Sequence, residues 1–208
     1  MSADILETGE TDPKIILIGL NRCATTTFFK LFLNSGIPAA HWEDEFRNNL
    51  AQRMMTNIAM GRKPLSGFGG LRAFTDIAFV NARFMLDGAR FFRELHAAYP
   101  DAYFVLNTRD KTGWLRSREQ HANGTYLDRC CKANGMTPDE VREGWASMYD
   151  VHHAEVMAHF EGNPRFLRFD IDRDDPRVIA DWLAPDFDVN VAHWGHYNQK
   201  AAKRAVTG

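Results

Sequence analysis

The chain has 208 residues, 45% of them hydrophobic, and a formal net charge of −2 at pH 7. This length and composition predict a single globular domain over 1–208, and the charge gives no reason to expect nucleic acid or an anionic membrane surface as a partner. No apolar run is long enough for a transmembrane segment, no secretion signal is recognisable, and the three cysteines have neither a disulfide nor a zinc spacing, which predicts a cytoplasmic protein. Residues 1–12 are polar and acidic and are expected to form a flexible tail, and the oligomeric state stays open.

A buried strand that runs through a polar loop into a helix is the most informative feature near the N-terminus. Residues 15–18 are four consecutive aliphatics, typical of a strand buried on both faces, and apolar residues resume at helical spacing from Phe28. Free N–H groups at a helix start attract an anion, and here Arg22 and the threonines at 25–27 add a positive charge and hydroxyl donors. The loop predicts a phosphate or sulfate site, with an ordinary turn that has Thr25 as N-cap as the alternative.

This loop differs from the phosphate loop of nucleotide hydrolases. That motif needs two glycines and a lysine before the Ser or Thr, whereas Gly19 is the only glycine here and no lysine precedes the threonines. A kinase is therefore the least favoured function. Cys23 stands beside Arg22 at a helix start, where a thiol can become reactive, although a small loop-filling residue is the interpretation we favour.

The rest of the chain alternates between strands and helices. This alternation predicts an α/β fold with a central parallel sheet flanked by helices on both faces. The predicted order is a strand at 37–41, a helix ending near 60, a loop at 61–70, a strand at 71–75, a helix over 79–99, a strand at 102–108, a helix from 113, a lid or insert at 123–137, a helix at 138–160, a strand at 166–170 and a helix at 175–183.

A second candidate anion site follows the strand at 102–108, which ends in Arg109 and Asp110. Ligands of open α/β sheets bind outside the carboxyl ends of the strands, and Arg109 lies at such an end. Ser117, one to two turns into the next helix, can face the same crevice, and a guanidinium with a hydroxyl suits a second phosphate. The alternative is a surface pair of Arg109 with Asp110 above a buried Trp114.

Together these motifs resemble the sulfotransferase family, which takes a sulfonate from 3′-phosphoadenosine 5′-phosphosulfate and releases 3′-phosphoadenosine 5′-phosphate. Residues 22–26, Arg-Cys-Ala-Thr-Thr, are similar to the family's loop for the 5′-phosphosulfate, and Arg109 with Ser117 resembles its 3′-phosphate site. The resemblance implies a P-loop NTPase-like fold, no metal, and a donor held by Arg22, Cys23, Ala24, Thr25, Thr26, Thr27, Arg109 and Ser117.

Two positions depart from the family's pattern. Ala24 stands where the family usually has glycine, and a β-carbon there either crowds the phosphate or requires a different φ. Arg22 replaces the lysine of many members, and since arginine keeps its proton it can only stabilise charge. These departures keep open a second hypothesis, a catalytically weak or inactive nucleotide-binding protein of the same fold.

The catalytic base has two candidates. Asp76 follows the short strand at 71–75, where the family often carries an acid or a histidine, although it can instead cap the helix predicted from Phe79. His41, at the end of the second strand, has a side chain whose ordinary pKa suits a base.

The sequence thus predicts sulfonate transfer to a hydroxyl or amine, with Arg22 stabilising the leaving phosphate. A small molecule, a lipid or a sugar is the expected acceptor. Three basic residues near the C-terminus either reach the 3′-phosphate, as in some relatives, or belong to a solvated tail: Lys200, Lys203 and Arg204.

Overall fold

The computed structural model describes residues 13–195 and residue 197, so the tail expected at 1–12 and the basic residues Lys200, Lys203 and Arg204 lie outside the described residues. The strands are β1 (Ile15–Leu17), β2 (Ala39–His41), β3 (Ala73–Thr75), β4 (Ala78–Val80), β5 (Met85–Asp87), β6 (Tyr103–Thr108) and β7 (Phe166–Asp170), and the α-helices are α1 (Thr25–Asn34), α2 (Leu50–Ala59), α3 (Phe92–Ala98), α4 (Lys111–Glu119), α5 (Thr125–Asn134), α6 (Pro138–His159) and α7 (Arg177–Leu183).

Five strands form a central sheet in the order β2-β3-β1-β6-β7. Every neighbouring pair in it is parallel. Chain order reverses around β1, since β3 lies on one side of it and β6 on the other, and this is where open α/β sheets leave a crevice at their carboxyl edge. The predicted α/β fold with a parallel sheet is confirmed, and its P-loop-like arrangement puts the β1–α1 loop at the crevice.

The core has a layer on each face of this sheet because the side chains of β1 alternate. Ile16 and Ile18 pack in one apolar cluster with residues of α2, α3 and α6. Ile15 and Leu17 pack in a second cluster with residues of α1 and α7. The prediction that this aliphatic run forms a strand buried on both faces is therefore confirmed.

The helix predicted over 79–99 is wrong in its first half. β4 and β5 form an antiparallel hairpin with Ala78 opposite Asp87, and α3 starts only at Phe92. The side chain of Asn81 makes the turn by accepting from the N–H groups of residues 83 and 84. Apolar residues of two three-residue strands fall by chance at helical spacing, which explains the error.

Helix α5 occupies most of the segment predicted to be a lid or insert at 123–137. Tyr126 and Cys130 are buried against Trp145 of α6, so this helix shares a third apolar cluster with the body of the protein. α6 starts as predicted, with Thr137 and Glu140 forming a capping box. Within the described ranges no helix has the length and apolar character needed to cross a membrane.

Candidate active site

The loop between β1 and α1 lies at the carboxyl edge of the sheet and forms a cradle. Helix α1 begins at Thr25, and its N-cap is Ala24, which supplies no side-chain acceptor to the first N–H groups. The alternative in which Thr25 caps the helix is therefore wrong. A helix start without a side-chain cap, next to Arg22, is an anion-binding arrangement.

Ala24 takes a conformation that glycine adopts more easily. Its φ is 58° and its ψ is 26°, and the neighbouring Arg22 also has a positive φ, 71°. A left-handed backbone costs an L-residue about 1–2 kcal/mol. The substitution of the family's usual glycine is thus accommodated by a strained backbone at Ala24.

Asn107 of β6 holds the loop from below. Its side-chain oxygen accepts from the N–H of Gly19 at 3.1 Å, and its amide donates to the carbonyl of Cys23 at 2.7 Å. A β-carbon at Gly19 would lie 2.0 Å from the Asn107 carbonyl, so this position requires glycine. A polar residue inside an otherwise apolar strand was the only sequence signal for Asn107.

Cys23 is buried beneath the cradle and takes no part in its surface. Burial raises the pKa of its thiol to about 12, with Arg109 the strongest opposing influence. Desolvation outweighs the nearby positive charge, so the alternative of a reactive thiolate is wrong and the favoured interpretation, a small loop-filling residue, agrees with the burial of Cys23.

Arg109 and Ser117 meet Arg22 at the same edge. Arg22 Nε donates to Ser117 Oγ at 3.3 Å, and Arg109 Nη2 lies 3.3 Å from Asp172 Oδ1. The Arg109 Nε atom is buried and has no hydrogen-bond partner among the described residues. The strand end and helix face predicted from sequence therefore do converge on the loop, with Asp172 as a partner that sequence analysis missed.

The alternative surface pair of Arg109 with Asp110 is not formed. Asp110 is the N-cap of α4 and accepts from the N–H of Gly113 at 2.7 Å. Trp114 is fully buried, as expected, and its indole N–H donates to the carbonyl of Asn21. Asp110 and Trp114 thus fix the start of α4 and leave Arg109 to face the crevice.

Two cavities adjoin the cradle. The loop cavity, of about 240 Å³, is lined by Arg22, Ala24, Thr25, Thr26, Thr27, Arg109, Ser117, Ile171, Asp172, Trp194, Gly195 and Tyr197. The α4 cavity, of about 590 Å³, is lined by Arg22, Arg109, Gly113, Arg116, Ser117, Gln120, His121 and Ala122.

The C-terminal segment closes one side of the loop cavity. Thr27 Oγ1 donates to the carbonyl of Gly195 at 3.0 Å. The ring of Trp194 packs edge-on against Phe28 and Phe169, with centroids 5.0 and 5.6 Å away. These contacts hold the segment against α1, beside the residues of the cradle.

His41 and Asp76 lie together beside the cradle, at the ends of β2 and β3. His41 Nε2 is 3.8 Å from Asp76 Oδ2 and 3.3 Å from Thr26 Oγ1, while Nδ1 is 3.0 Å from Thr75 Oγ1. The Thr75 hydroxyl donates to the carbonyl of Ala40, so it accepts from Nδ1–H of His41. This assigns the Nδ1–H tautomer and leaves Nε2 as an acceptor facing Thr26 and Asp76.

The two candidate bases have opposite pKa shifts with one main cause. Burial lowers the pKa of His41 to about 4, with Lys30 adding to the shift. Burial raises the pKa of Asp76 to about 6, with Asp87 adding and Arg22 opposing. Near pH 7 His41 is therefore neutral and Asp76 is mostly ionised.

Asp76 is held in an unusual position. Its φ is 55°, its side chain is 18% exposed, and its buried Oδ1 has no hydrogen-bond partner in the described part of the chain. Because no helix begins at Phe79, the alternative role of Asp76 as a helix cap is wrong.

The fold and the site first define a class: an α/β protein whose sheet edge carries a cationic, hydroxyl-rich cradle, with a carboxylate and an imidazole at its side. A sulfotransferase domain family matches residues 14–160, which is more than half of the chain. The chain belongs to this sulfotransferase family. A search among curated proteins finds no match.

Proposed function

We propose that this sulfotransferase uses 3′-phosphoadenosine 5′-phosphosulfate as donor and transfers its sulfonate to a hydroxyl or amine of a small-molecule, lipid or sugar acceptor in the cytoplasm. The observation that carries the proposal is one cavity lined by two arginines, three threonines and a serine. In this proposal Arg22 and the Thr25 to Thr27 loop meet one anionic group of the donor, and Arg109 with Ser117 meets the other. Two anion positions suit a donor that is charged at both its 5′ and its 3′ groups.

The residues present fit this donor. The Nε of Arg109 is buried and unpartnered among the described residues, which is costly unless a ligand accepts from it. Its Nη2 meets a single carboxylate, Asp172, so the two arginines of the loop cavity, Arg22 and Arg109, keep a net positive charge toward a polyanion. Arginine and N–H donors meet all the donor's charge in this proposal, and we invoke no metal.

The chemistry requires alignment of donor and acceptor, neutralisation of charge on the leaving oxygen and a proton acceptor. The bound donor supplies a sulfonate already activated by its bond to phosphate. Arg22 stabilises the charge left on that phosphate and cannot protonate it, because its proton is not released in proteins. Thr25 and the first N–H groups of α1 orient the phosphate, because the hydroxyls of Thr26 and Thr27 donate to His41 and to the carbonyl of Gly195.

Asp76 accepts the proton of the acceptor. It is mostly ionised at neutral pH, and its raised pKa brings its basicity closer to that of an effective general base. His41, neutral and fixed by Thr75, lies 3.8 Å from the Asp76 carboxylate and makes no hydrogen bond to it, since its Nε2 carries no proton.

Calorimetric titration with 3′-phosphoadenosine 5′-phosphate, beside ATP with Mg²⁺, tests the donor. We expect metal-independent binding of the bisphosphate, weakened about 10- to 100-fold by Arg109→Ala, since a hydrogen bond to a charged group contributes ~1.5–3 kcal/mol. Arg177→Ala, which removes an exposed pair with Asp175, is the matched control and leaves the affinity unchanged. Binding of ATP with Mg²⁺ but not of the bisphosphate would instead support a kinase.

The strain at Ala24 favours a second candidate, a nucleotide-binding protein of weak or lost activity. This candidate predicts bisphosphate binding with no transfer to any acceptor tested. The pair of Asp76 and His41 beside the cradle supports the active enzyme over it, because binding alone needs no proton acceptor.

A further inference from the structure

The α4 cavity carries side chains that the donor does not need. Gly113, Arg116, Ser117 and Gln120 follow the spacing of one helix face, and His121 begins the 3₁₀ turn after α4. This face of α4 therefore turns a row of polar and cationic groups toward one cavity.

The two cavities share some residues and divide the others. Arg22, Arg109 and Ser117 line both, whereas Arg116 and His121 line the α4 cavity and not the loop cavity. In the proposed function the shared residues face the two anionic groups of the donor. Arg116 and His121 are left for a second ligand.

The α4 cavity is electropositive. None of its lining residues is acidic, and the Arg116 guanidinium has no ion-pair partner within the described ranges. The pKa of His121 is lowered, first by burial and then by the positive charges of Arg22 and Arg118, which agrees with an electropositive cavity. An uncompensated arginine beside a cavity favours a ligand with an anionic group.

Backbone strain holds the wall of this cavity. Ala122 and Asn123 both have left-handed conformations, with φ of 50° and 56°, directly after His121. Such strain persists only where the surrounding structure enforces it, and it is common at ligand sites. Here it sets the direction in which the chain leaves α4 and so the place of His121.

We propose that the α4 cavity binds an anionic group of the acceptor, so that the substrates are alcohols or amines that also carry a carboxylate, phosphate or sulfate. This inference rests on the proposed function. Arg22 lines both cavities, and the same loop places the Thr26 hydroxyl 3.3 Å from His41, which lies beside Asp76. The reacting oxygen then lies beside Asp76 while the anionic group lies beside Arg116.

The transfer step balances within this arrangement. A bond forms between the acceptor oxygen and sulfur as the bond from sulfur to the bridging oxygen breaks, and that electron pair stays on the 5′-phosphate. The acceptor proton goes to Asp76. The anionic group of the acceptor takes no part in bond making and only orients the molecule, as a remote binding group does.

A pair of probes that differ by one carboxylate tests the inference: 4-(hydroxymethyl)benzoate and benzyl alcohol. Each is titrated calorimetrically into protein saturated with 3′-phosphoadenosine 5′-phosphate. We expect the carboxylate probe to bind at least ~10-fold more tightly, as a charge-assisted contact implies. Arg116→Glu removes this preference and keeps bisphosphate affinity within ~3-fold, and Arg177→Glu, an exposed change on α7, keeps both.

Further readouts separate the outcomes. In the bisphosphate complex the carboxylate probe raises the pKa of His121, followed by NMR, and benzyl alcohol does not. Three results would overturn this inference and leave the proposed function intact. They are equal affinities of the two probes, no binding of the carboxylate probe, and an Arg116→Glu variant that loses bisphosphate affinity but keeps the preference for the carboxylate probe. Failure of the wild-type protein to bind the bisphosphate would overturn the proposed function and this inference with it.

Discussion

Three local features suit Asp76 to the proposed role of base. It follows β3 at the edge where ligands bind, its backbone is left-handed, and one of its oxygens is buried without a described partner. Burial disfavours the charged carboxylate and so raises its pKa to about 6. The same environment that makes this carboxylate unfavourable makes it a better proton acceptor.

Asp76→Asn is expected to reduce sulfonate transfer by at least ~100-fold, the usual contribution of a positioned base. We expect bisphosphate affinity to stay unchanged, because in the proposed mechanism the Asp76 side chain contacts the acceptor and not the donor. In the wild-type protein the transfer rate falls as pH drops through about 6, where Asp76 becomes protonated. Initial rates from pH 5 to 8, with calorimetric titration of both proteins, make the measurement.

Asp181→Asn, an exposed change on α7, is the matched control for charge and should alter neither quantity. A variant Asp76→Asn with full activity would show that Asp76 is not the base. Transfer through His41 would then be the alternative, and it would fall at a lower pH, since the pKa of His41 is about 4.

The positions of single site residues were predicted correctly where a charged or polar residue lies at the end of a predicted strand or helix. Arg22 and Asp76 both follow a predicted strand, and their side chains lie where that rule puts them. Asn107 and Asp172 carry no such signal, because their roles come from contacts across 88 and 63 residues of sequence. The burial that makes Cys23 inert is likewise a property of the packed molecule.

At the scale of elements, helix α6 and the short strands β2 and β3 were predicted, whereas the β4–β5 hairpin was missed. Helix α6 has a capping box and buries Val141, Trp145, His152 and Val156 at helical spacing, and it begins where the sequence indicated. The β4–β5 hairpin has strands of three residues, too short for alternation to differ from helical spacing. What holds this hairpin in place is a contact of Asp87 with a charged residue of another element.

That charge is Arg118, which joins three elements beneath the cradle. It is fully buried and donates to Asp87 of β5 at 3.0 Å and to the hydroxyl of Tyr126 in α5 at 3.0 Å. Tyr126 in turn accepts from the side chain of Asn21 in the loop. The rings of Trp114 and Trp145 flank the guanidinium.

Arg118→Met is expected to lower the free energy of unfolding by about 3–5 kcal/mol, because it leaves Asp87 buried without its counter-charge. The double variant Arg118→Met with Asp87→Leu recovers much of this loss. Arg142→Ala removes partly exposed pairs and changes stability by less than ~1 kcal/mol. Urea unfolding at pH 7 measures all three, and a loss below ~1 kcal/mol for Arg118→Met would contradict the bridging role.

At the scale of the whole molecule, the order of the sheet assembles the site. β3, β1 and β6 are adjacent and parallel, so the residues after each strand end at one edge. This is why Asp76, Arg22 and Arg109 converge although 87 residues separate the last two in sequence. Sequence patterns predict the strands, and the parallel topology then predicts the convergence, but hydrogen-bond partners and cavities follow only from the packed structure.

At the same scale, buried groups that titrate below pH 7 make the free energy of unfolding depend on pH. His41 and His153, both with pKa lowered to about 4 by burial, take up protons on unfolding between pH 4 and 6.5, so their contribution to stability grows as pH rises through this range. Asp76 acts in the opposite sense. Its folded pKa of about 6 exceeds its ordinary value of 3.8, so the folded state holds a proton that the unfolded state has lost.

The contribution of Asp76 to the free energy of unfolding therefore falls as pH rises from about 4 to 6. In Asp76→Asn this pH-dependent decrease should be absent. We expect the variant to be more stable than the wild-type protein at pH 7 by about 2–3 kcal/mol, since one pKa unit corresponds to ~1.4 kcal/mol. The difference shrinks toward pH 4, where the wild-type carboxyl is protonated in the fold. Urea unfolding at pH 4 and pH 7 measures both values, with Asp181→Asn as control. Equal free energies of unfolding at pH 7 would mean that the Asp76 charge is not desolvated. The explanation that burial makes Asp76 more basic and the fold less stable would then be wrong.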